Sequence, residues 1–178
     1  MKVSVLRIGH RLVRDDRVTT HAALVARAFG AEKIYMTGVD QSVSETITDV
    51  SKRWGNFNFN VEVISDWRRV VKTWKREGGK IVHLTMYGIN IDDNVVQDLI
   101  SESNKKILVI IGAEKVPKEA YELADYNIAI GNQPHSEIAA LAVFLDRVFR
   151  GKEIRKEFAG GRLKIIPMEK GKRVEECK

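Results

Sequence analysis

The sequence predicts an α/β fold, a mainly parallel sheet flanked by helices. Three observations point there. Strand-like apolar bursts alternate with helix-period segments about six times along the 178 residues, the pattern of strands joined by crossover helices. Glycines stand where three of those strands end, at Gly88, Gly112 and Gly131. The run from Ile107 to Ile111 is uniformly apolar, as in a strand covered on both faces.

Each element has its own justification. Lys2 to Ile8 alternates polar and apolar residues and reads as the first strand. Residues 18–29 suit a helix, because Ala22, Val25, Ala26 and Phe29 fall at i, i+3, i+4 and i+7, and Gly30 stops it. Residues 32–36 form a short strand, and Ser42-x-x-Glu45 reads as a capping box opening a helix to about Trp54. Residues 58–64 alternate again. Asp66 caps a helix with Trp67, Val70, Val71 and Trp74 on one face, ended by Gly78-Gly79. Strand 80–85, helix 92–103 and strand 106–111 follow. Pro117 fits the first turn of a short helix to Ala124. Residues 126–130 make the last core strand, and 136–150 a helix with Ile138, Leu141, Ala142, Leu145, Val148 and Phe149 on its apolar side. The expected organisation is one domain over 1–150 and a basic extension over 151–178, with Phe158 to Leu163 turning a short hairpin.

Composition narrows the function. Charged residues make up 30% and hydrophobic ones 44%, which argues for a packed globular chain and against disorder. No apolar run approaches the ~18 residues of a membrane span, and the N-terminus lacks the apolar core of a signal peptide. The single cysteine, Cys177, excludes an internal disulfide framework and a cysteine-based zinc site; a cytoplasmic location is expected. The net charge of +6 is uneven: residues 1–30 carry +4, residues 147–178 carry +6 and the middle carries −4. Basic ends on an acidic-leaning body are the footprint of a chain whose ends approach a polyanion.

Three segments look too specific for scaffolding. They are Arg14-Asp15-Asp16-Arg17-Val18-Thr19-Thr20-His21, then His83-Leu84-Thr85-Met86-Tyr87-Gly88 with Gly112-Ala113-Glu114-Lys115-Val116-Pro117, then Gly131-Asn132-Gln133-Pro134-His135-Ser136-Glu137. The last two follow strand ends, where open α/β sheets bind ligands. Neither a GxxxxGK[ST] phosphate loop nor a GxGxxG dinucleotide motif is present.

In this order these segments, with the Ile-Ala-Ala-Leu-Ala that follows Glu137, resemble the archaeal tRNA (cytidine-56) 2′-O-methyltransferases, a family of the SPOUT class of RNA methyltransferases. The resemblance covers about residues 3–151. It implies a SPOUT fold with a deep trefoil knot within about 107–145, a homodimer formed through it, tRNA as partner, and S-adenosyl-L-methionine as cofactor. It also implies methyl transfer to the ribose 2′-hydroxyl of cytidine 56 in the T-loop. Carried over to this chain, the cofactor site comprises Leu84, then Gly112, Ala113, Glu114, Lys115 and Val116, then Ile130, Gly131, Asn132, Gln133, Pro134, His135, Ser136 and Glu137. The residues agree with such a site. Glycines let backbone approach a ligand closely, Leu84, Val116 and Ile138 offer apolar walls, and the amides around Ser136 open a helix. Asn132 is a candidate to hold the substrate ribose or the cofactor. His83, between Val82 and Leu84, reads as a hydrogen-bonded core histidine, and His135 as a loop-shaping one.

A ribose hydroxyl is a weak nucleophile until its proton is taken or polarised, whereas the methyl donor is already electrophilic and requires no metal. The class carries an essential arginine in an N-terminal motif ending Ala-Phe-Gly. This chain keeps Ala28-Phe29-Gly30 but has Leu24 where that arginine is expected, so Arg14, Arg17 and Arg27 are the candidates. Arg17 is favoured. A guanidinium stays protonated at ordinary pH, so Arg17 is expected to anchor a phosphate and polarise the hydroxyl, the proton passing to a phosphate oxygen, His21 or water. A surface ion pair of Arg17 with Asp15 or Asp16 is the competing role. The contrasting function is a non-catalytic RNA-binding α/β module, which has RNA affinity without cofactor affinity.

Overall fold

A computed structural model describes residues 1–9, 16–101, 106–113 and 115–177. Six parallel strands form one sheet in the order β3-β2-β1-β5-β4-β6. They are β1 (Lys2–Ile8), β2 (Lys33–Thr37), β3 (Asn60–Ile64), β4 (Lys80–Asn90), β5 (Lys106–Gly112) and β6 (Tyr126–Ala129). The helices are α1 (Asp16–Ala28), α2 (Gln41–Trp54), α3 (Trp67–Arg76), α4 (Asp93–Ile100), α5 (Lys118–Leu123) and α6 (Glu137–Phe149).

The sheet is covered on both faces. On one, Val3, Val5, Val82, Leu84, Ile107, Val109 and Ile111 pack under α1, α2 and α6. On the other, Leu6, Ile8, Ile81, Leu108 and Ile110 pack under Trp67 and Val71 of α3 and Ala120 of α5. Strand period two sends successive side chains to opposite faces, which is why the run 107–111 is wholly buried. β1 lies between β2 and β5, so its polar positions are buried too: Ser4 is 4% exposed and Arg7 0%.

Caps set the helix starts. Asp66 accepts from Arg68 N, Asp92 from Val95 N and Ser136 from Ile138 N. α2 departs from the sequence reading: its cap is Asp40, which accepts from Ser42 N at 2.7 Å, and Ser42 lies inside the helix. β4 runs five residues past the expected end, and its pairing with β6 jumps between Leu84 and Ile89. The expected hairpin also lies elsewhere. The ribbon is β7 (Leu163–Ile166) with β8 (Arg173–Glu176). Residues 158–162 instead lie along the end of α2, with Asn56 N donating to Ala159 O at 3.2 Å and Arg162 N to Lys52 O at 3.2 Å. Glycine is required at this seam, because a Cβ on Gly55 would sit 2.5 Å from Phe158 O. No helix of the described residues is long and apolar enough to cross a membrane.

Candidate active site

The carboxyl ends of β4, β5 and β6 open into a cavity of about 850 Å³. Leu84 and Thr85 of β4, Gly112 and Ala113 at the end of β5, and Ile130 just past β6 lie on its walls. Lys115, Val116 and Tyr121 close one side, and Gln133 to Glu137 with Ala140 of α6 close the other. Segments separated by some fifty residues meet here because their strands are neighbours in the sheet.

Most of the cofactor residues expected from the sequence converge on this cavity. Leu84, Gly112, Ala113, Lys115, Val116, Ile130, Gln133, Pro134, His135, Ser136 and Glu137 all line it. Glu114 lies outside the described residues. Ile138 and Asn132 do not line it. Asn132 does different work: its Nδ2 donates to Met86 O at 2.8 Å and Gly88 O at 3.1 Å, while its Oδ1 accepts from Asn90 Nδ2 at 2.5 Å. Asn90 Oδ1 in turn accepts from Gly131 N at 3.0 Å. Both amide hydrogens and one acceptor position of Oδ1 thus staple the loop after β6 to the end of β4. Gly131 likewise stands off the lining and shapes the turn, with φ of 76°, a conformation that favours glycine.

Two histidines have structural partners. His135 Nε2 sits 2.7 Å from Ile130 O and its Nδ1 3.1 Å from Ser136 O, which fixes the loop between β6 and α6. His83, 1% exposed, lies at the cavity floor, with its ring edge-on to Tyr121 at 4.5 Å. Burial holds the His83 imidazole below its ordinary value, opposed in part by the hydrogen bond with Asn127. Asn127 Nδ2 donates to Tyr121 O at 3.0 Å, which leaves Oδ1 to accept from His83 Nδ1 at 2.9 Å. His83 Nε2 therefore carries the lone pair, and it has no hydrogen-bond partner.

The sequence reading missed one group. Arg7, on β1, is fully buried on the α6 side of the sheet and meets the head of that helix. Its Nη2 lies 3.4 Å from Glu137 Oε1, and its Nη1 donates to Gly9 O at 3.1 Å. The carboxylate sits in the first turn of α6, where the helix dipole favours negative charge. The pair thus ties the cavity wall to the strand leading into the N-terminal motif. A basic residue in a strand flanked on both sides by apolar segments was the available signal.

Arg17 and His21 are exposed on the first turns of α1, and neither lines the cavity. Their spacing of four puts them on one face of the helix, and α1 packs against α6. Arg14, Asp15 and the side chain of Asp16 lie outside the described residues. Arg27 is buried: its Nε donates to Ser51 Oγ at 3.1 Å and its Nη2 to Gly55 O at 2.5 Å, so it joins α1 to α2 and reaches no cavity.

The donor set suits S-adenosyl-L-methionine. Leu84, Val116, Ile130 and Ala140 give apolar walls for a purine, and Thr85, Tyr121, Gln133, Ser136 and Glu137 add polar atoms. The unpartnered Nε2 of His83 lies in the floor.

Comparison with known proteins bears on this geometry. Residues 54–175 match the family described as tRNA ribose 2′-O-methyltransferase, aTrm56. A tRNA (cytidine(56)-2′-O)-methyltransferase of Methanopyrus kandleri is 58% identical over 172 residues, 96% of this chain and 94% of that protein. The protein of that name from Thermococcus kodakarensis is 54% identical, over 97% of this chain and 96% of its own. Among solved structures, an RNA 2′-O ribose methyltransferase matches with a TM-score of 0.60 at 19% identity over 85% of this chain. The SpoU methyltransferase AviRb of Streptomyces viridochromogenes, solved with AdoMet, matches with a TM-score of 0.58 at 17% identity over 84%. This chain spans 57% of the length of each of those two chains, and the likeness to them is one of fold.

Proposed function

The chain belongs to the tRNA ribose 2′-O-methyltransferase family aTrm56, and we propose that the cavity at the ends of β4, β5 and β6 is where it carries out that family's reaction. The reaction is transfer of a methyl group from S-adenosyl-L-methionine to the ribose 2′-hydroxyl of cytidine 56 in the T-loop of tRNA. The observation that carries the assignment of the site is convergence: the segments at the ends of β4, β5 and β6 close on one cavity large enough for a nucleoside with an amino-acid tail.

When bound, S-adenosyl-L-methionine supplies an electrophilic methyl group. The side chains do the rest. Leu84, Val116 and Ile130 would take the purine, and the backbone of 112–113 and 133–136 its polar edges. The Arg7–Glu137 pair and the Asn90–Asn132 staple hold those loops in place. Transfer requires the hydroxyl oxygen and the methyl carbon to come to roughly 3–3.5 Å, in line. Arg17, outside the cavity on the exposed face of α1, anchors the phosphate beside the target ribose and polarises the hydroxyl, and the proton passes to a phosphate oxygen, to His21 one turn on, or to water. Both are cationic or proton-accepting groups on an exposed helix face, as contact with a polyanion requires.

The SPOUT fold supports a trefoil knot within about 107–145, where the loop after β5 and the β6–α6 segment clasp the cavity. A homodimer accounts for the exposed Val143 of α6 and for Tyr87 and Ile89 of β4, at 40%, 74% and 76% exposure. Light scattering tests it: about 40 kDa is expected for two 20.2-kDa chains, and about 20 kDa contradicts it. Function in the cytoplasm follows from the substrate. The assignment is tested by incubating the protein with methyl-labelled donor and unmodified tRNA transcript. Label on the ribose of cytidine 56 supports it, and label on a base or another nucleotide overturns it.

A further inference from the structure

We propose that the row Arg69, Lys72 and Arg76 of α3 is a docking surface for the tRNA phosphate backbone, outside the cavity and apart from the basic ends of the chain. α3 carries five cations, Arg68, Arg69, Lys72, Lys75 and Arg76, and no carboxylate in its ten residues. Its apolar side, Trp67 and Val71, faces the sheet, so the cations face outward, and all five are exposed.

The carboxylates around this helix are taken. Glu119 pairs with Arg68 at 2.5 Å, and Asp125 with Lys75 at 3.6 Å. Glu77 pairs with Lys106 at 3.2 Å, Glu62 with Lys33 at 2.9 Å and Glu32 with Lys2 at 4.0 Å. Asp66 is used as the helix cap. Arg69, Lys72 and Arg76 form no ion pair among the described residues, and they stand at i, i+3 and i+7. At 1.5 Å per residue the row is about 10 Å long on one side of the helix.

Its position suits the substrate. α3 follows the carboxyl end of β3, the edge strand opposite β6, so it starts at the same end of the sheet as the cavity and runs back across the face. The Arg68–Glu119 pair joins its first turn to α5, which supplies Lys118 and Tyr121 to the cavity lining. The row lies beyond that pair, with Arg69 bordering the groove over β1, β2 and β3, so a nucleic acid with one ribose at the cavity would cross α5 and the Arg68–Glu119 pair to reach it. Three unpaired cations in line have the charge and spacing for successive phosphates, which position a nucleic acid without reading its sequence.

The inference rests on tRNA being the substrate. The test compares the full chain with R69Q/K72Q/R76Q for tRNA transcript binding across a potassium chloride series, with S-adenosylhomocysteine binding and melting as controls. Each lost phosphate contact lowers the salt slope by about 0.7–0.9, so the triple variant loses about 2–3 from the slope. Its KM for tRNA rises about tenfold, with kcat, S-adenosylhomocysteine affinity and melting unchanged. The charge-keeping R69K/K72R/R76K restores the slope. A slope and KM equal to those of the unaltered chain overturn the docking surface. Should the triple variant not fold, the single K72Q is read instead: a drop of about 0.7–0.9 in slope supports the row, and no drop overturns it. Failure of the unaltered chain to bind tRNA, with cofactor binding intact, contradicts the tRNA reading itself.

Discussion

Gly88→Ala tests how tightly the cavity wall is built. Gly88 lies in the stretch of β4 where the pairing with β6 jumps from Leu84 to Ile89. A Cβ there would stand 2.5 Å from Asn127 O, 2.6 Å from Asn127 C and 2.7 Å from Ile128 N. All three atoms are backbone. Ordinary contact begins near 3.4 Å, so the strands must separate by about 0.9 Å at this point. Overpacking of this kind costs about 1–3 kcal/mol, or about 2–12 °C of melting temperature for a chain of this size. The shift reaches the cavity from both sides. Met86 and Tyr87 line it next to Gly88, and Asn127 holds His83. S-adenosylhomocysteine binding measured by calorimetry is expected to weaken about tenfold, a loss of about 1.4 kcal/mol. Gly131→Ala is the contrast. Its φ is 76°, but no atom lies within 4 Å of an added Cβ. It adds only left-handed strain of about 1–2 kcal/mol and keeps affinity within about threefold. Gly88→Ala binding and melting like the unaltered chain, or Gly131→Ala weakening binding more, would refute this reasoning.

Other expectations follow from the same geometry. Arg7→Met breaks a buried ion pair, a class of change costing about 3–5 kcal/mol; Glu137 keeps 21% side-chain exposure, which places the loss near the lower bound. A double-mutant cycle with Glu137→Gln should return a coupling of at least about 1 kcal/mol, and simple additivity would exclude the pair as a unit. Glu153, 5% exposed, has its value raised by burial, offset in part by its own backbone N–H and raised further by Asp146. The unfolded chain therefore releases a proton that the native state retains. Stability from this group is full below the ordinary carboxylate range and is lost as pH rises through the raised value. Glu153→Gln should accordingly raise the melting temperature at pH 7.5 by about 2–4 °C and by less at pH 4.5, and an equal shift at both contradicts the sign. Arg17→Ala should lower kcat about a hundredfold, within the range seen when a transition-state donor is removed, without changing S-adenosylhomocysteine affinity. Full activity in both Arg17→Ala and Arg17→Lys would remove Arg17 from its role.

Much of this was legible in the chain. The six parallel strands and their helices follow from period and punctuation, because Ile107 to Ile111 has no polar face to expose and Asp66, Asp92 and Ser136 each precede a helix they cap. The cavity-forming segments stood out as strand-end loops, and the strand order brings them together. What stayed hidden depends on non-local contact. Arg7 looked like a polar member of an alternating strand, yet β1 is central and the guanidinium is buried against Glu137, 130 residues away. The structural work of Asn132 was hidden in the same way: its amide donates to Met86 O and Gly88 O, more than forty residues back in the chain. The two glycines at 160–161 suggested a hairpin turn. They serve instead to let the extension lie on the end of α2, where a Cβ on Gly161 would stand 2.6 Å from Gly55 N. Charge summed over the middle of the chain hid α3, whose cations are offset by carboxylates paired elsewhere.

The most direct measurement is the position of the methyl group. Purified protein, S-adenosyl-L-methionine labelled in its methyl group and an unmodified tRNA transcript are incubated, and the RNA is mapped by nuclease digestion with mass spectrometry. A single 2′-O-methylated cytidine at position 56, lost when the transcript carries a 2′-deoxycytidine there, is the predicted result. Methylation persisting on the deoxy substrate, or no transfer by a protein that binds both RNA and donor, would contradict it.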